Sequence, residues 1–231
     1  LALRWSAAKA RYRAKRQRVG TYTRPSRVSL QRQTVNVGRG PVPRETIVWL
    51  RYHQDFNSSA TVMDQVFNLN SILDPDRTGG GHQPMGRDQY ATFYNRYRVS
   101  DVRVKIVATT DLVVSGAPMK LIVVADNDPA DYTSDTTMVE QQGSYHTLVT
   151  PYQTTVFRRS YHLASITGVT DKAYLDDRFQ ALMSASPTES ILLHVGTCKA
   201  DGSAGSAGQC KYTVQMDFKC HLFDPNTLAA S

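Results

Sequence analysis

The chain has 231 residues, a formal net charge of +7, a hydrophobic fraction of 41% and three cysteines. That length suits one domain with a sizeable core, or one domain plus a tail, and no apolar run reaches the 18 residues that would mark a membrane-spanning helix. Cys198, Cys210 and Cys220 are odd in number and unevenly spaced, which argues against a disulfide-stapled secreted fold, and Leu1–Leu3 is too short for a secretory signal core.

The charge is concentrated at the start. Residues 1–44 carry 12 cations and no acid, whereas the other 187 residues carry 15 cations and all 20 acids, a net of −5. A basic arm on a slightly acidic body is the electrostatic footprint of a polyanion binder. Residues 1–18 read as an arginine-rich nucleic-acid-binding arm. Within it, "RWSAAKARYRAKRQR" (4–18) is expected to be disordered when free and an amphipathic basic helix when bound. Gly20, Pro25, Gly38, Gly40, Pro41 and Pro43 make residues 19–44 an extended linker. Arg4, Lys9, Arg11, Arg13, Lys15, Arg16, Arg18, Arg24 and Arg27 are candidates for phosphate contacts, and Trp5 and Tyr12 for stacking on bases. Nothing in the arm is arranged to read base edges, so sequence-tolerant binding is expected. "KARYRAKRQR" would serve equally as a nuclear-import signal.

From residue 45 onward the pattern is almost all strand. "ETIVWLRYHQDF" (45–56) alternates and is rich in β-branched and aromatic residues, and "VMDQVFNL" (62–69) follows as a short segment. "YRVSDVRVKIVATT" (97–110) places Val102, Val104, Ile106 and Ala108 on one face and Arg103 and Lys105 on the other. "MKLIVVAD" (119–126) is a buried apolar run, and "TTVFRRSYHLA" (154–164), "SILLHVGTC" (190–198) and "QCKYTVQMDFKCHLF" (209–223) complete the series. "KADGSAGSAG" between the last two reads as a hairpin connection, which would set Cys198 and Cys210 facing across paired strands. Helix is expected only at "DQYATFYNRY" (88–97), where Tyr90, Phe93, Tyr94 and Tyr97 have helical spacing, and at "DKAYLDDRFQALM" (171–183). Residues 70–96 and 127–152 remain as long irregular excursions, of a size that usually packs against something. The sum is an antiparallel sandwich or barrel.

Catalytic chemistry finds little support. "GGGHQPMGRDQY" (79–90) mixes glycines, an imidazole and both charges, but it lacks the Lys-Ser/Thr of a phosphate-binding loop and the strand–helix setting of a dinucleotide loop. Asp74, Asp76 and His82 have no metal-ligand spacing, and a turn with His82 bonded to nearby backbone accounts for them. "DNDPAD" (126–131) lacks the glycine and terminal Glu of a calcium loop and reads as a solvated loop. The serines of "GSAGSAG" are not in a nucleophile elbow, the thiols have no adjacent His, and Cys220 and His221 point to opposite faces of a strand. No enzyme activity, metal or cofactor is expected. For 79–90 the remaining reading is a corner in which Gly79–Gly81 take unusual backbone angles and Asp88 caps a short helix.

The segment 67–110 resembles the capsid proteins of small circular Rep-encoding single-stranded DNA viruses, the CRESS-DNA or circovirus-like group. The matching positions are Asn70, Asp74, Pro75, His82, Gln83, Pro84, Gly86, Asp88, Gln89, Tyr94, Tyr97 and Val99. The resemblance is close over about a fifth of the chain, and the rest agrees in order: basic arm, linker, about eight strands. It implies an all-β single jelly roll, an eight-stranded antiparallel sandwich with long loops spanning 45–231, preceded by the basic N-terminal arm. It also implies self-assembly into a small icosahedral shell, T=1 with 60 copies, whose inward arms package single-stranded DNA. The partners implied are identical subunits, the DNA genome, host import machinery and a surface receptor, with no membrane. The locations implied are the virion and, during assembly, the host nucleus. Two other readings of the residues stay open: a jelly-roll coat protein of a small RNA or satellite virus, and a cellular nucleic-acid-binding β-domain.

Overall fold

Strand β1 (Glu45–Asn57) realises the alternation seen in the sequence, with Leu50 and Tyr52 buried and Ile47, Trp49 and Arg51 exposed. The structure, a computed structural model, describes residues 42–58, 63–110, 117–203 and 209–227. The remaining strands are β2 (Met63–Asn68), β3 (Tyr94–Thr110), β4 (Met119–Asp126), β5 (Tyr145–Val149), β6 (Thr155–His162), β7 (Ala181–Leu182), β8 (Leu192–Lys199) and β9 (Cys210–Pro225). Three short helices interrupt them: α1 (Arg87–Ala91), α2 (Asp135–Glu140) and α3 (Leu163–Ile166).

The strands form two antiparallel sheets, β1-β9-β3-β6 and β2-β8-β4-β5, with β7 attached beside β3. Among the eight long strands, only β4 and β5 are joined within one sheet. Every other connection crosses to the opposite sheet, which is the jelly-roll arrangement. The fold is all-β, a single jelly roll. β8 pairs with β2 and β4, whereas β9 pairs with β1 and β3. The expected 198–210 hairpin is therefore a sheet-crossing connection, and Cys198 and Cys210 do not face each other. Each thiol fills apolar space in its own sheet.

The core lies between the sheets. β9 contributes Tyr212, Val214, Met216, Phe218, Cys220 and Leu222, and β3 lays Val102, Val104, Ile106 and Ala108 alongside them. Phe67, Met119, Leu121, Val123, Leu193 and Val195 close the core from the facing sheet. β3 holds two inward registers, because its pairing with β9 slips by one residue between Val99 and Asp101. Tyr97 and Val99 face inward at odd positions, and Val102 to Ala108 do so at even ones. The extra residue, Ser100, is the bulge that lets both sets reach the core.

The two central strands of the second sheet, β4 and β8, are also covered on their outer face. Ile122, Val124 and Cys198 point away from the main core and pack under Met138 of α2, with Tyr132 and Val139 beside them. A strand buried on both faces needs a continuous apolar run, which is why Leu121 to Ala125 of β4 read as one, whereas equally buried β8 also takes in the polar His194 and Thr197. The outer face of the β1-β9-β3-β6 sheet instead alternates with polar residues.

Three expectations about local structure require correction. The helix expected at 88–97 ends at Ala91, and Tyr94 and Tyr97 belong to β3, so their helical spacing is accidental. Residues 171–183 form two 3-10 turns, Ala173–Leu175 and Asp177–Phe179, followed by β7. The excursion at 127–152 contains α2 and the edge strand β5, whose Tyr145, His146 and Leu148 are exposed and so leave no burial pattern to read.

Deleting Ser100 would force either Tyr97 and Val99 or the four inward residues after the bulge onto the solvent face. The expected loss is at least about 4 kcal/mol in urea unfolding. Ser100→Ala keeps the residue count and loses only bonds to Asp101 and His221, so about 1 kcal/mol is expected.

Candidate functional site

The residues singled out for nucleic-acid contact, Arg4, Trp5, Lys9, Arg11, Tyr12, Arg13, Lys15, Arg16, Arg18, Arg24 and Arg27, lie outside the described residues. So do most of the linker residues at 19–44.

Strand register places the long connections together. Asn68, at the end of β2, and Asp126, at the end of β4, both pair with Leu192 at the start of β8. Tyr94, at the start of β3, pairs with Pro225 at the end of β9. Connections 69–93, 127–144 and 163–191 therefore leave one end of the sandwich, and they bind one another there. Asn70 Nδ2 donates to the Glu189 carbonyl at 2.6 Å, and its Oδ1 accepts from the Ile191 amide at 3.1 Å. Ser71 bonds Ser186 at 2.8 Å, and Tyr97 donates to the Ala185 carbonyl at 3.0 Å. Arg77 reaches the Pro129 carbonyl at 2.9 Å and lies 3.9 Å from Asp131. The excursions thus pack against each other. Their outer surface carries exposed apolar groups, Met85, Phe93, Leu175 and Leu182, with Met85 85% exposed.

Within that end, residues 74–90 form a corner braced by side chains. Buried Asp76 accepts from Gln65 Nε2 at 2.8 Å and from the amide and hydroxyl of Thr78 at 3.0 and 2.8 Å. The His82 ring nitrogens lie 2.9 Å from the Gln83 carbonyl and 2.7 Å from the His53 carbonyl, and the ring leans on Tyr52 at 4.9 Å. These contacts tie the loop to β1. Gly79 takes a positive φ of 73°, but the other essential glycine, Gly81, is required for space. A Cβ there would meet Asp76 Cβ and Tyr52 Oη at 2.8 Å. α1 is preceded by Gly86 at φ 88°, which occupies the N-cap position in place of the expected Asp88. Asp88 instead accepts from Arg87 Nη1 at 2.7 Å.

The other candidates for chemistry are consumed by structure. No cluster of three potential metal ligands occurs among the described residues. Asp126 is not free in a solvated loop: Tyr132 donates to it at 2.5 Å, and the Nε2 of buried His194 lies 3.3 Å away. Burial alone would push the Asp126 carboxyl up, but bonds from His194 and Tyr132 hold it below its ordinary value. Burial raises all three thiols, Cys210 to about 11, so none is a nucleophile near neutral pH. His162 has partners that its place in the sequence does not reveal. It sits between Asp171 at 2.7 Å and Asp101 at 2.9 Å, and Asp101 also meets Lys219 at 3.2 Å. Only the β3–β6 register brings Asp101 opposite His162.

No protein-family model and no curated protein matches the chain. Among solved structures it is similar to the nora virus structure, with a TM-score of 0.50 and 12% identity over 85% of this chain and 67% of that one. It also aligns with the desmodium yellow mottle tymovirus structure (TM-score 0.45, 13% identity, 86% of this chain and 99% of that one). For the decameric BFDV capsid protein the values are 0.42 and 11%, over 78% of this chain and all of that one. The likeness is one of fold.

Gly81→Ala is expected to cost about 1–3 kcal/mol in urea unfolding, because the atoms it meets include a buried Cβ that cannot swing aside. The His162 site predicts a pH dependence. Hydrogen bonds that the ring donates to Asp171 and then to Asp101 raise the His162 pKa above its ordinary 6.5. Its stabilising contribution is therefore complete below about pH 6.5 and fades as pH rises through the raised folded value. His162→Asn should lower the unfolding free energy more at pH 6 than at pH 9. The site is half-exposed and solvent-screened, so the difference should stay under about 1 kcal/mol.

Proposed function

We propose that this protein is a viral capsid subunit that assembles into a small icosahedral shell of 60 copies, T=1, and packages single-stranded DNA through its basic arm. The observation that carries the reading is a combination within one chain. A jelly roll gathers three mutually packed long connections at one end, and the preceding 44 residues hold 12 cations and no acid. The fold is one the chain shares with a virus structure. In this reading the exposed apolar groups Met85, Phe93, Leu175 and Leu182 are covered by neighbouring copies. Closed symmetry requires such heterologous contacts to rotate shut.

Residues 1–18 are the nucleic-acid-binding arm, 19–44 the linker and 45–231 the shell domain. Arg4, Lys9, Arg11, Arg13, Lys15, Arg16, Arg18, Arg24 and Arg27 neutralise phosphates, and Trp5 and Tyr12 stack on bases. Sixty copies would bring about 720 positive charges to a genome with on the order of a thousand or more phosphates. The arms would thus neutralise a large part of the cargo and leave the remainder to other cations. The subunit is a structural protein rather than an enzyme, and it resides in the virion and, during assembly, in the host nucleus.

Negative-stain microscopy of the purified chain should reveal uniform small spheres, and a monodisperse monomer at every salt and protein concentration would sink the proposal. Nuclease sensitivity of the extracted cargo distinguishes DNA from RNA. Deleting residues 1–18 should leave the melting temperature of the body within about 2 °C and reduce the packaged nucleic acid several-fold. A truncated chain that fails to fold would show that the arm is not a separate module.

A further inference from the structure

The two sheets differ in what covers them. The outer face of β4 and β8, the centre of the second sheet, is packed under α2, Tyr132 and Val139. The outer face of β1-β9-β3-β6 has no such cover among the described residues, and its centre is cationic although residues 45–231 are net acidic. Register sets the layout. Across β1, β9, β3 and β6, one row reads Trp49, Lys219, Asp101, His162. The next reads Arg51, Asp217, Arg103, Ser160, and the third reads His53, Gln215, Lys105, Arg158.

The acids in this field are already engaged. Arg51 grips Asp217 through two bonds of 2.6 and 3.1 Å, and Lys219 meets Asp101 at 3.2 Å. Arg103, Lys105 and Arg158 are ion-paired to no carboxylate among the described residues. Lys105 stands directly opposite Arg158, and Arg103 lies two positions along the same face. Like charges opposed across a sheet repel and cost stability, so this arrangement works against the isolated fold. The three cations border an open groove of about 350 Å³, shared with Ser160, Gln215 and Asp217. Beside it, the Arg103 guanidinium lies over the Trp49 ring at 4.2 Å, and Trp49 keeps 45% of its surface exposed.

Unneutralised cations in a groove, next to an exposed indole, match the two parts of a nucleotide chain. We propose that this sheet face is a second contact for single-stranded nucleic acid, separate from the arm. Arg103, Lys105 and Arg158 hold phosphates, and Trp49 stacks on a base. An anion in the groove removes the Lys105–Arg158 repulsion. Stacking on an indole is open to any base, so the contact is tolerant of sequence. The inference rests on the nucleic-acid-binding reading above and places part of that binding on the folded body.

The test uses the full chain carrying Trp5→Phe, in which Trp49 is the only tryptophan. Labelled dT30 is followed by anisotropy, which reports all binding, while Trp49 emission reports the sheet face. The expected result is a rise in anisotropy with saturable quenching of Trp49. Trp49→Ala in the otherwise native chain should bind dT30 about tenfold more weakly. The variant R103Q/K105Q/R158Q should lose the quenching, and its log–log salt slope should shrink by about 2. Without nucleic acid it should melt no lower than the parent, because it removes repulsion. If anisotropy rises while Trp49 emission and the variant's salt slope stay unchanged, the arm binds alone and this inference is overturned. If anisotropy does not rise, both readings fall. If Trp49 emission responds only to protein concentration, the face is a contact between copies and the inference is again overturned.

Discussion

β9 is paired along nearly its whole length on both sides, from Cys210 opposite Thr110 on β3 to Phe223 opposite Glu45 on β1. Its inward side chains form a buried column from Tyr212 to Leu222, against which the facing sheet closes. The other elements take their places relative to that column. The bulge at Ser100 exists so that β3 can follow β9 and still turn both Tyr97 and Val102 inward. The long connections gather at one end because the strand ends they join are brought level by β9 in one sheet and by β8 in the other. The charged face beyond β9 is wide because β1, β9, β3 and β6 lie side by side in one sheet.

The strands were legible wherever one face met water and the other the core. The 45–56 and 97–110 alternations are of this kind, and 119–126 was legible as a run buried on both faces. Three things were not legible. β5 lies at an edge with most of its side chains exposed, so burial left no period to detect. Tyr90, Phe93, Tyr94 and Tyr97 imitate a helix because α1 ends at Ala91 and the chain then extends, with buried tyrosines that happen to be three residues apart. The separate sheets of β8 and β9 follow from strand order, which local sequence does not encode. A glycine- and serine-rich connection between two strong strands looks the same whether it turns back or crosses over.

The functional features divide along the same line. The basic arm is written in composition and needs no fold to be noticed. The corner at 74–90 was recognisable as structural rather than catalytic, although the role of Gly81, which is close approach rather than backbone angle, required Tyr52 and Asp76 to be placed beside it. The His162 bridge and the grouping of Arg103, Lys105, Arg158 and Trp49 depend on four strands that are distant in sequence. A reading by eye along the chain sees Arg103 and Lys105 only as the polar side of an alternating strand. It cannot see that Arg158 faces Lys105 or that Trp49 lies under Arg103.

The pairing of β1 with β9 also bears on how the molecule is made. Glu45 meets Phe223, so the first strand of the body finds its partner only when the last strand has been synthesised. At roughly 5–20 residues per second, β1 waits about ten seconds or more on the ribosome with its apolar side chains uncommitted. A sheet built on such distant pairing also folds slowly, because loop closure must precede any gain from contact. During that interval the nascent body depends on chaperones or on its own solubility, and a free strand edge from a second nascent chain is a competing partner for β1.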